Sequence, residues 1–196
     1  MKVAQEDLQK EINALEEELI KKRERLIALK KQLPQEEVRD YALKSASGKD
    51  VRLSEMFGNH EDLIVIHNMG VSCPYCTMWA DGFNGLLKHL ENRAAFVVVS
   101  PDSPETQKAF AQRRGWQFKI YSNQGSTFTE EMGFKRQDGQ RSSWMPGVST
   151  FHRLPEGKIV RIAKADFGPG DAYCSAWHLL DLLAKGANGW EPNFQY

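Results

Sequence analysis

Cys73-Pro74-Tyr75-Cys76 comes shortly after a continuous apolar run, Leu63-Ile64-Val65-Ile66. Such a run suits a strand buried on both faces of a sheet, and the residues from the motif to about Asn92 read as a helix. A C-x-x-C in that context restricts the fold more than any other feature of the chain, because a buried strand must deliver two thiols to the first turn of a helix. Pro74 suits that turn: its fixed φ matches a helix start, and its missing N–H is one the first turn leaves unpaired anyway. A thiol there meets unpaired backbone N–H groups and the positive end of the helix dipole, so its pKa falls below the free value of about 8.5. Cys76, one turn along, is within reach of Cys73 but shielded. The spacing therefore predicts Cys73 as the attacking nucleophile and Cys76 as the thiol that resolves the mixed disulfide, with Pro74 and Tyr75 lining the approach of the substrate.

Short β-like runs alternate with helical ones on either side of the motif. Tyr41–Lys44 and Val51-Arg52-Leu53 read as weak strands about a Ser47–Asp50 turn, and Ser54 with Glu55 as the cap of a short helical turn. Phe96–Val99 is a second buried strand. Ser103-Pro104-Glu105 opens a helix that Gly115 closes, and Phe118–Tyr121 is a third strand. Residues 123–145, rich in Gly, Ser and charge, show no assignable period. Val148–Phe151 and Ile159–Ile162 flank Pro155-Glu156-Gly157 as a β-hairpin, and Asp171 is expected to cap a last helix carrying Trp177, Leu179, Leu180, Leu182 and Leu183.

The first 34 residues are different in kind. Leu8, Ile12, Leu15, Leu19, Lys22, Leu26, Leu29 and Leu33 alternate spacings of four and three, a heptad seam with one polar interruption, and Pro34 stops it. From Gln5 to Leu33 such a helix would run about 44 Å, longer than a small domain is wide, so it lies along a globular domain or pairs with another chain. The expected organisation is a helical extension over residues 1–34 and an α/β domain over residues 35–196, with a homodimer formed through the helix.

Composition narrows the function. With Lys plus Arg at 26 and Asp plus Glu at 26, the formal net charge is zero, which offers no electrostatic case for nucleic acid or an anionic membrane as partner. The N-terminus lacks an apolar leader-like stretch, and the chain reads as cytoplasmic. Three cysteines in 196 residues are no disulfide framework, and in a reducing compartment a C-x-x-C points to redox or metal chemistry. One C-x-x-C is half a zinc site, and His60, His67, His89, His152 and His178 are scattered, so no metal is expected. Nor is a prosthetic group required, since electrons would come from a thiol or dithiol partner. Cys174 reads as packing.

Strand, C-x-x-C helix, strand, helix, hairpin and final helix is the order of the thioredoxin fold, an α/β architecture with a mixed central sheet flanked by helices. C-P-Y-C resembles the active-site tetrapeptide of the glutaredoxins. Counting back six residues from Cys73 gives His67, where thioredoxins carry a buried acid that helps deprotonate the resolving cysteine. A His there could accept that proton near neutral pH, or it could be a hydrogen-bonded core residue. Gly147-Val148-Ser149-Thr150 is similar to the thioredoxin loop that faces the C-x-x-C, with Ser149 at the place of its cis-proline. The resemblance implies that the Val148 backbone pairs with a peptide or thiol substrate.

A wider resemblance covers most of the chain. It rests on the charged helix ending in Leu33-Pro34, on Leu53-Ser54-Glu55-Met56-Phe57, and above all on Cys73-Pro74-Tyr75-Cys76-Thr77-Met78-Trp79-Ala80-Asp81-Gly82-Phe83-Asn84-Gly85. Phe96-Val97-Val98-Val99-Ser100, Gly115-Trp116-Gln117-Phe118, Pro146-Gly147-Val148-Ser149 and Leu180-Asp181-Leu182-Leu183 complete it. In these stretches the chain resembles the bacterial family known as domain of unknown function 899, classed as thioredoxin-like; the segment after Ser100 and residues 163–170 depart from it. The resemblance implies a thioredoxin-like fold and a redox role without naming a substrate. The leading expectation is thiol–disulfide exchange with a protein or small-molecule thiol or disulfide. The alternatives are a peroxiredoxin-like peroxidase and a non-catalytic interaction module assembled through the N-terminal helix. The peroxidases place Thr or Ser three residues before the attacking cysteine and an Arg beside it; here the third residue before Cys73 is Gly70, though Ser72 is adjacent.

Overall fold

A computed structural model describes residues 2–196, with side chains from residue 5 onward. Two compact units make up the chain, the first ending at Gln35 and the second covering Glu36–Tyr196. The first is a single helix, α1 (Lys2–Gln32), whose Leu8, Ile12, Leu15, Leu19, Leu26 and Leu29 are exposed. One helix cannot bury its own apolar stripe, so its length rests on good helix formers and on pairs such as Lys22–Glu18 one turn apart.

The second unit is built on an eight-stranded sheet, in spatial order β1 (Glu36–Val38), β10 (Ile159–Asp166), β9 (Gly147–Arg153), β4 (Asp62–His67), β5 (Ala95–Ser100), β6 (Lys119–Ser122), β2 (Ala42–Ser45) and β3 (Asp50–Arg52). The central β4, β5 and β6 run parallel, and β9 and β2 close the parallel core with antiparallel pairing on its two sides. Two helices make the crossovers, α3 (Pro74–Arg93) and α4 (Pro104–Arg114). Each starts with Pro in its first turn, and α4 ends at Gly115 in the left-handed region, φ +69°, where a residue without Cβ is unstrained.

Strand periodicity divides the core in two. Phe96 and Val98 of β5 face one side with Ile66 of β4 and with Trp79, Phe83 and Leu87 of α3. Val97 and Val99 face the other, with Leu63, Val65, Phe151, Phe128 and Phe134. Full burial of such a side chain stabilises by roughly 1.5–3 kcal/mol relative to exposure, so both layers contribute.

Several expectations needed correction. β1 was not anticipated, and residues 123–145 hold a helical turn, α5 (Phe128–Glu131), and a separate hairpin of β7 (Lys135–Asp138) and β8 (Arg141–Trp144). The remaining helices are short: α2 (Leu53–Met56) and α6 (Ser175–Asp181). Asp171 does not cap α6, whose N-cap is Cys174. Its carboxylate instead takes the backbone N–H groups of Gly168, Tyr173 and Cys174 and ties the preceding loop into a knot. Leu182 and Leu183 lie beyond α6 and are exposed.

Candidate active site

The buried strand ends where the dithiol helix begins. From the end of β4 the chain crosses the sheet edge through a short loop held at several points: Asn68 N–H donates to Val99 O, Gly70 N–H to Asn68 Oδ1 (2.8 Å), and Val71 N–H to Asp102 Oδ2 (2.8 Å). Gly70 has φ +117°, and a Cβ there would stand 3.0 Å from Asp102 Oδ2, so glycine is required on both counts. Asp102, which also accepts from Ser100 Oγ (2.7 Å), fixes where the thiols emerge. No pattern in its own segment marks this role; Gly70 just before the motif was the only local hint.

Cys73 is the N-cap of α3. Its Sγ accepts the backbone N–H of Cys76 at 3.1 Å, and its carbonyl takes the Thr77 hydroxyl at 3.0 Å. All three cysteines are free thiols. Cys73 is half-buried with pKa lowered to about 7, first by the hydrogen bond from the Cys76 thiol and then by backbone N–H groups of the helix start, against a desolvation cost. Cys76 is 3 % exposed, and the neighbouring thiolate together with burial pushes its thiol upward. The two sulfurs are thus unequal, one poised to ionise near neutrality and reachable, the other a shielded proton donor to it. No cationic side chain among the described residues contributes to the lowering of Cys73.

His67 is not placed to serve this pair. Its predecessor Ile66 packs with Cys76, and neighbouring strand residues point to opposite faces. His67 accordingly lies on the other side of the sheet, its ring stacked on Phe134 at 4.0 Å and near Phe128. It is 1 % exposed, Nε2 meets Ser149 Oγ at 3.0 Å, and burial with nearby Arg161 and Lys164 lowers its pKa to about 3. It is a neutral core histidine, and the role of proton acceptor is withdrawn. The sign of its effect on stability follows. The unfolded histidine binds a proton near pH 6.5 and the folded one only near pH 3, so stability falls as pH drops through that window, by up to about 1.4 kcal/mol per pH unit. Denaturant midpoints measured between these limits should decline in the wild type and decline less steeply in a His67→Leu, Ser149→Ala double variant.

Ser149 and Val148 need a similar correction. Ser149 is fully buried on the His67 side and touches no substrate route. Val148 sits within β9, paired with Ile66 of β4 and with Ala165 of β10, so strands already occupy both edges of its backbone and it cannot add a substrate strand. Only its side chain faces the dithiol layer, packed with that core. No peptide bond among the described residues is cis.

Pro74 and Tyr75 stay at the opening, both half-buried. Tyr75 stacks on Trp177 (5.9 Å between centroids) and neighbours Trp79 (6.4 Å), whose indole N–H reaches Asp171 Oδ1 at 3.4 Å. Trp177 and Trp190 meet edge to face at 6.4 Å. The wall beside the dithiol is therefore aromatic and comes from the last quarter of the chain. No local pattern ties these tryptophans to the motif; the Asp171 knot and α6 carry Trp177 to Tyr75, and Trp190 packs against Trp177.

Comparison with known proteins agrees with this architecture. The sequence profile of the family described as "Bacterial protein of unknown function (DUF899)" matches residues 3–194. Among curated proteins, the chloroplastic peroxiredoxin Q of Populus jackii is 27% identical over 144 residues, covering 73% of this chain and 65% of that protein. Its counterpart from Gentiana triflora is 26% identical over 130 residues, 66% of this chain and 58% of that one. The chain thus spans somewhat under two thirds of the length of these relatives. Among solved structures, peroxidoxin BcpB from Mycobacterium tuberculosis superposes with a TM-score of 0.55 at 23% identity, over 67% of this chain and 84% of that one. A peroxiredoxin-like protein from Aquifex aeolicus gives 0.55 at 18%, over 67% and 74%. The fold is thioredoxin-like, in the form that peroxiredoxins also adopt.

Proposed function

The chain belongs to the DUF899 family of bacterial proteins, and we propose that it is a thiol–disulfide oxidoreductase working through Cys73 and Cys76. The observation that carries this reading is the Cys73 sulfur capping α3, 3.1 Å from the Cys76 N–H, with its pKa brought to about 7 beside a buried second thiol. In the forward direction the Cys73 thiolate attacks a substrate disulfide and one thiol leaves. The Cys76 thiol then gives up its proton, attacks Cys73 Sγ and releases the second thiol, leaving a Cys73–Cys76 disulfide. Two electrons pass from the dithiol to the substrate, and a thiol or dithiol partner restores them. A reducing compartment such as the cytoplasm suits that cycle.

The test is the pH dependence of Cys73 alkylation. The rate should rise tenfold per pH unit below about pH 7 and level off above it, because only the thiolate reacts. A midpoint at or above the ordinary value of about 8.5 overturns the proposal.

The peroxiredoxin relatives favour peroxide reduction as a second reading. Position 70 is Gly in place of Thr or Ser, although Ser72 is adjacent to Cys73, and no described cationic side chain lowers the Cys73 thiol, so the position that peroxidases use to orient the departing oxygen lacks its hydroxyl. Disulfide exchange is accordingly expected to outpace oxidation by hydrogen peroxide at equal concentration; the reverse order would favour the peroxidase.

We also infer that α1 pairs two copies of the chain. Its apolar seam from Leu8 to Leu29 is exposed, and a two-stranded coiled coil is the assembly that a heptad seam of this length buries. Light scattering should return two chains for the wild type and one for a Leu15→Asp, Leu19→Asp variant. A single-chain mass for the wild type overturns the dimer.

A further inference from the structure

A cavity of about 290 Å³ opens beside the tetrapeptide, lined by Tyr75, Trp177 and Trp190 as walls and by Asp181 and Glu191 as its charged groups. Among the described residues, no Lys or Arg lines it. We propose that this cavity seats a cationic group of the substrate, an ammonium or guanidinium, and so selects positively charged disulfides for Cys73; the inference rests on the dithiol reading above.

Three observations converge. The walls are aromatic faces already held edge to face and stacked on one another, Tyr75 on Trp177 at 5.9 Å and Trp177 on Trp190 at 6.4 Å. Such faces attract cations through the ring quadrupole and offer little to an anion. The charge is complementary, since the lining carries two carboxylate side chains, Asp181 and Glu191, beside the Tyr75 phenol, and two like charges along a low-dielectric wall raise the local concentration of the opposite sign. The cavity also borders the tetrapeptide, with Tyr75 as one of its walls. Tyr75 lies between the two cysteines in sequence, and its phenol is held above the ordinary range first by desolvation, then by Glu191 and, least, by the Cys73 thiolate. A ligand against Tyr75 is thus within electrostatic reach of the nucleophile. A cation there would also draw Cys73 further toward its thiolate as exchange begins.

Among the described residues, the lining holds no competing cation. His178 of α6 is turned to Asp171 O at 3.0 Å, and Asp171 is committed to its loop knot and to the Trp79 indole.

The experiment uses three small symmetrical disulfides of similar size: cystamine (dication), 2-hydroxyethyl disulfide (neutral) and dithiodiglycolate (dianion). The fully reduced full-length protein reacts with each in a single turnover at pH 7 and low salt. Each rate constant is divided by that of free 2-mercaptoethanol with the same disulfide, which removes differences in leaving-group reactivity. The expected result is a normalised preference for cystamine over dithiodiglycolate of about tenfold or more, shrinking as salt is raised. In a Glu191→Gln, Asp181→Asn variant, the ratio of cystamine to the neutral disulfide should fall toward one. Equal normalised rates, or a preference for the dianion, overturn the cationic-substrate proposal while leaving dithiol exchange in place. A wild-type preference that the double variant retains removes this cavity as its source. Absence of reaction with all three disulfides overturns the exchange reading and this inference with it.

Discussion

Cys73→Ser is expected to cut disulfide exchange by ~10³-fold or more, the scale on which loss of a nucleophile acts, without lowering stability. The second half of that statement makes the test sharp. Cys73 is the N-cap of α3, its side chain accepting Cys76 N–H, and serine is among the preferred residues at an N-cap. The hydroxyl preserves the cap and stays protonated at neutral pH, so the variant separates chemistry from folding. Cys76→Ser behaves differently. The attacking thiol remains, but nothing resolves what it makes, and the mixed disulfide accumulates as a stable adduct visible by mass spectrometry. An unchanged exchange rate in Cys73→Ser, or an adduct on Cys76 in place of Cys73, would overturn the assignment of roles. Unfolding curves of the two proteins settle whether any loss is structural.

Phe134→Ala is expected to destabilise the second unit by about 3–5 kcal/mol, the range for deleting a buried aromatic ring. Phe134 is fully buried and stacked on His67 at 4.0 Å with an interplanar angle of 17°, and Lys164 Nζ lies 5.7 Å from its ring centre. The fit is close: a Cβ built at Gly147 would stand 2.2 Å from Phe134 Cε1 and 2.5 Å from the Ala165 carbonyl oxygen. No neighbouring backbone can move in to fill the space that Phe134 leaves, because β9 is pinned between β4 and β10. The measurement is denaturant unfolding, and a loss under about 1 kcal/mol would contradict the packing described. The alkylation profile of Cys73 should keep its midpoint, since Phe134 lies across the sheet from the dithiol.

The elements around the motif were legible because they rest on local signals. A four-residue apolar run announced β4, Pro74 fixed the start of α3, and Ser103 with Pro104 and Gly115 bracketed α4. Elements stabilised by distant partners were not. β1 has three residues and exists because Glu36–Val38 pair with Ile159–Arg161. The β7–β8 hairpin carries mostly exposed polar residues, so no hydrophobic alternation marks it. The Gly147–Thr150 stretch looked like a substrate loop because its letters fit one; in the folded chain it is an interior strand with both edges taken.

The amino-acid sequence by itself determined where the two thiols sit, one at the N-cap and one in the first turn of the helix that follows a buried strand. That follows from C-P-Y-C after a buried strand, through the unpaired N–H groups of a helix start. It also determined the apolar seam of α1, through heptad spacing alone. Only the tertiary structure decided what surrounds the thiols. One residue of strand register sends His67 to the far side of the sheet to lie neutral against Phe134. A carboxylate knot at Asp171 and the short helix behind it carry Trp177 to Tyr75, and Trp190 packs against Trp177. Both outcomes depend on contacts between segments far apart in the chain, and no local propensity encodes them.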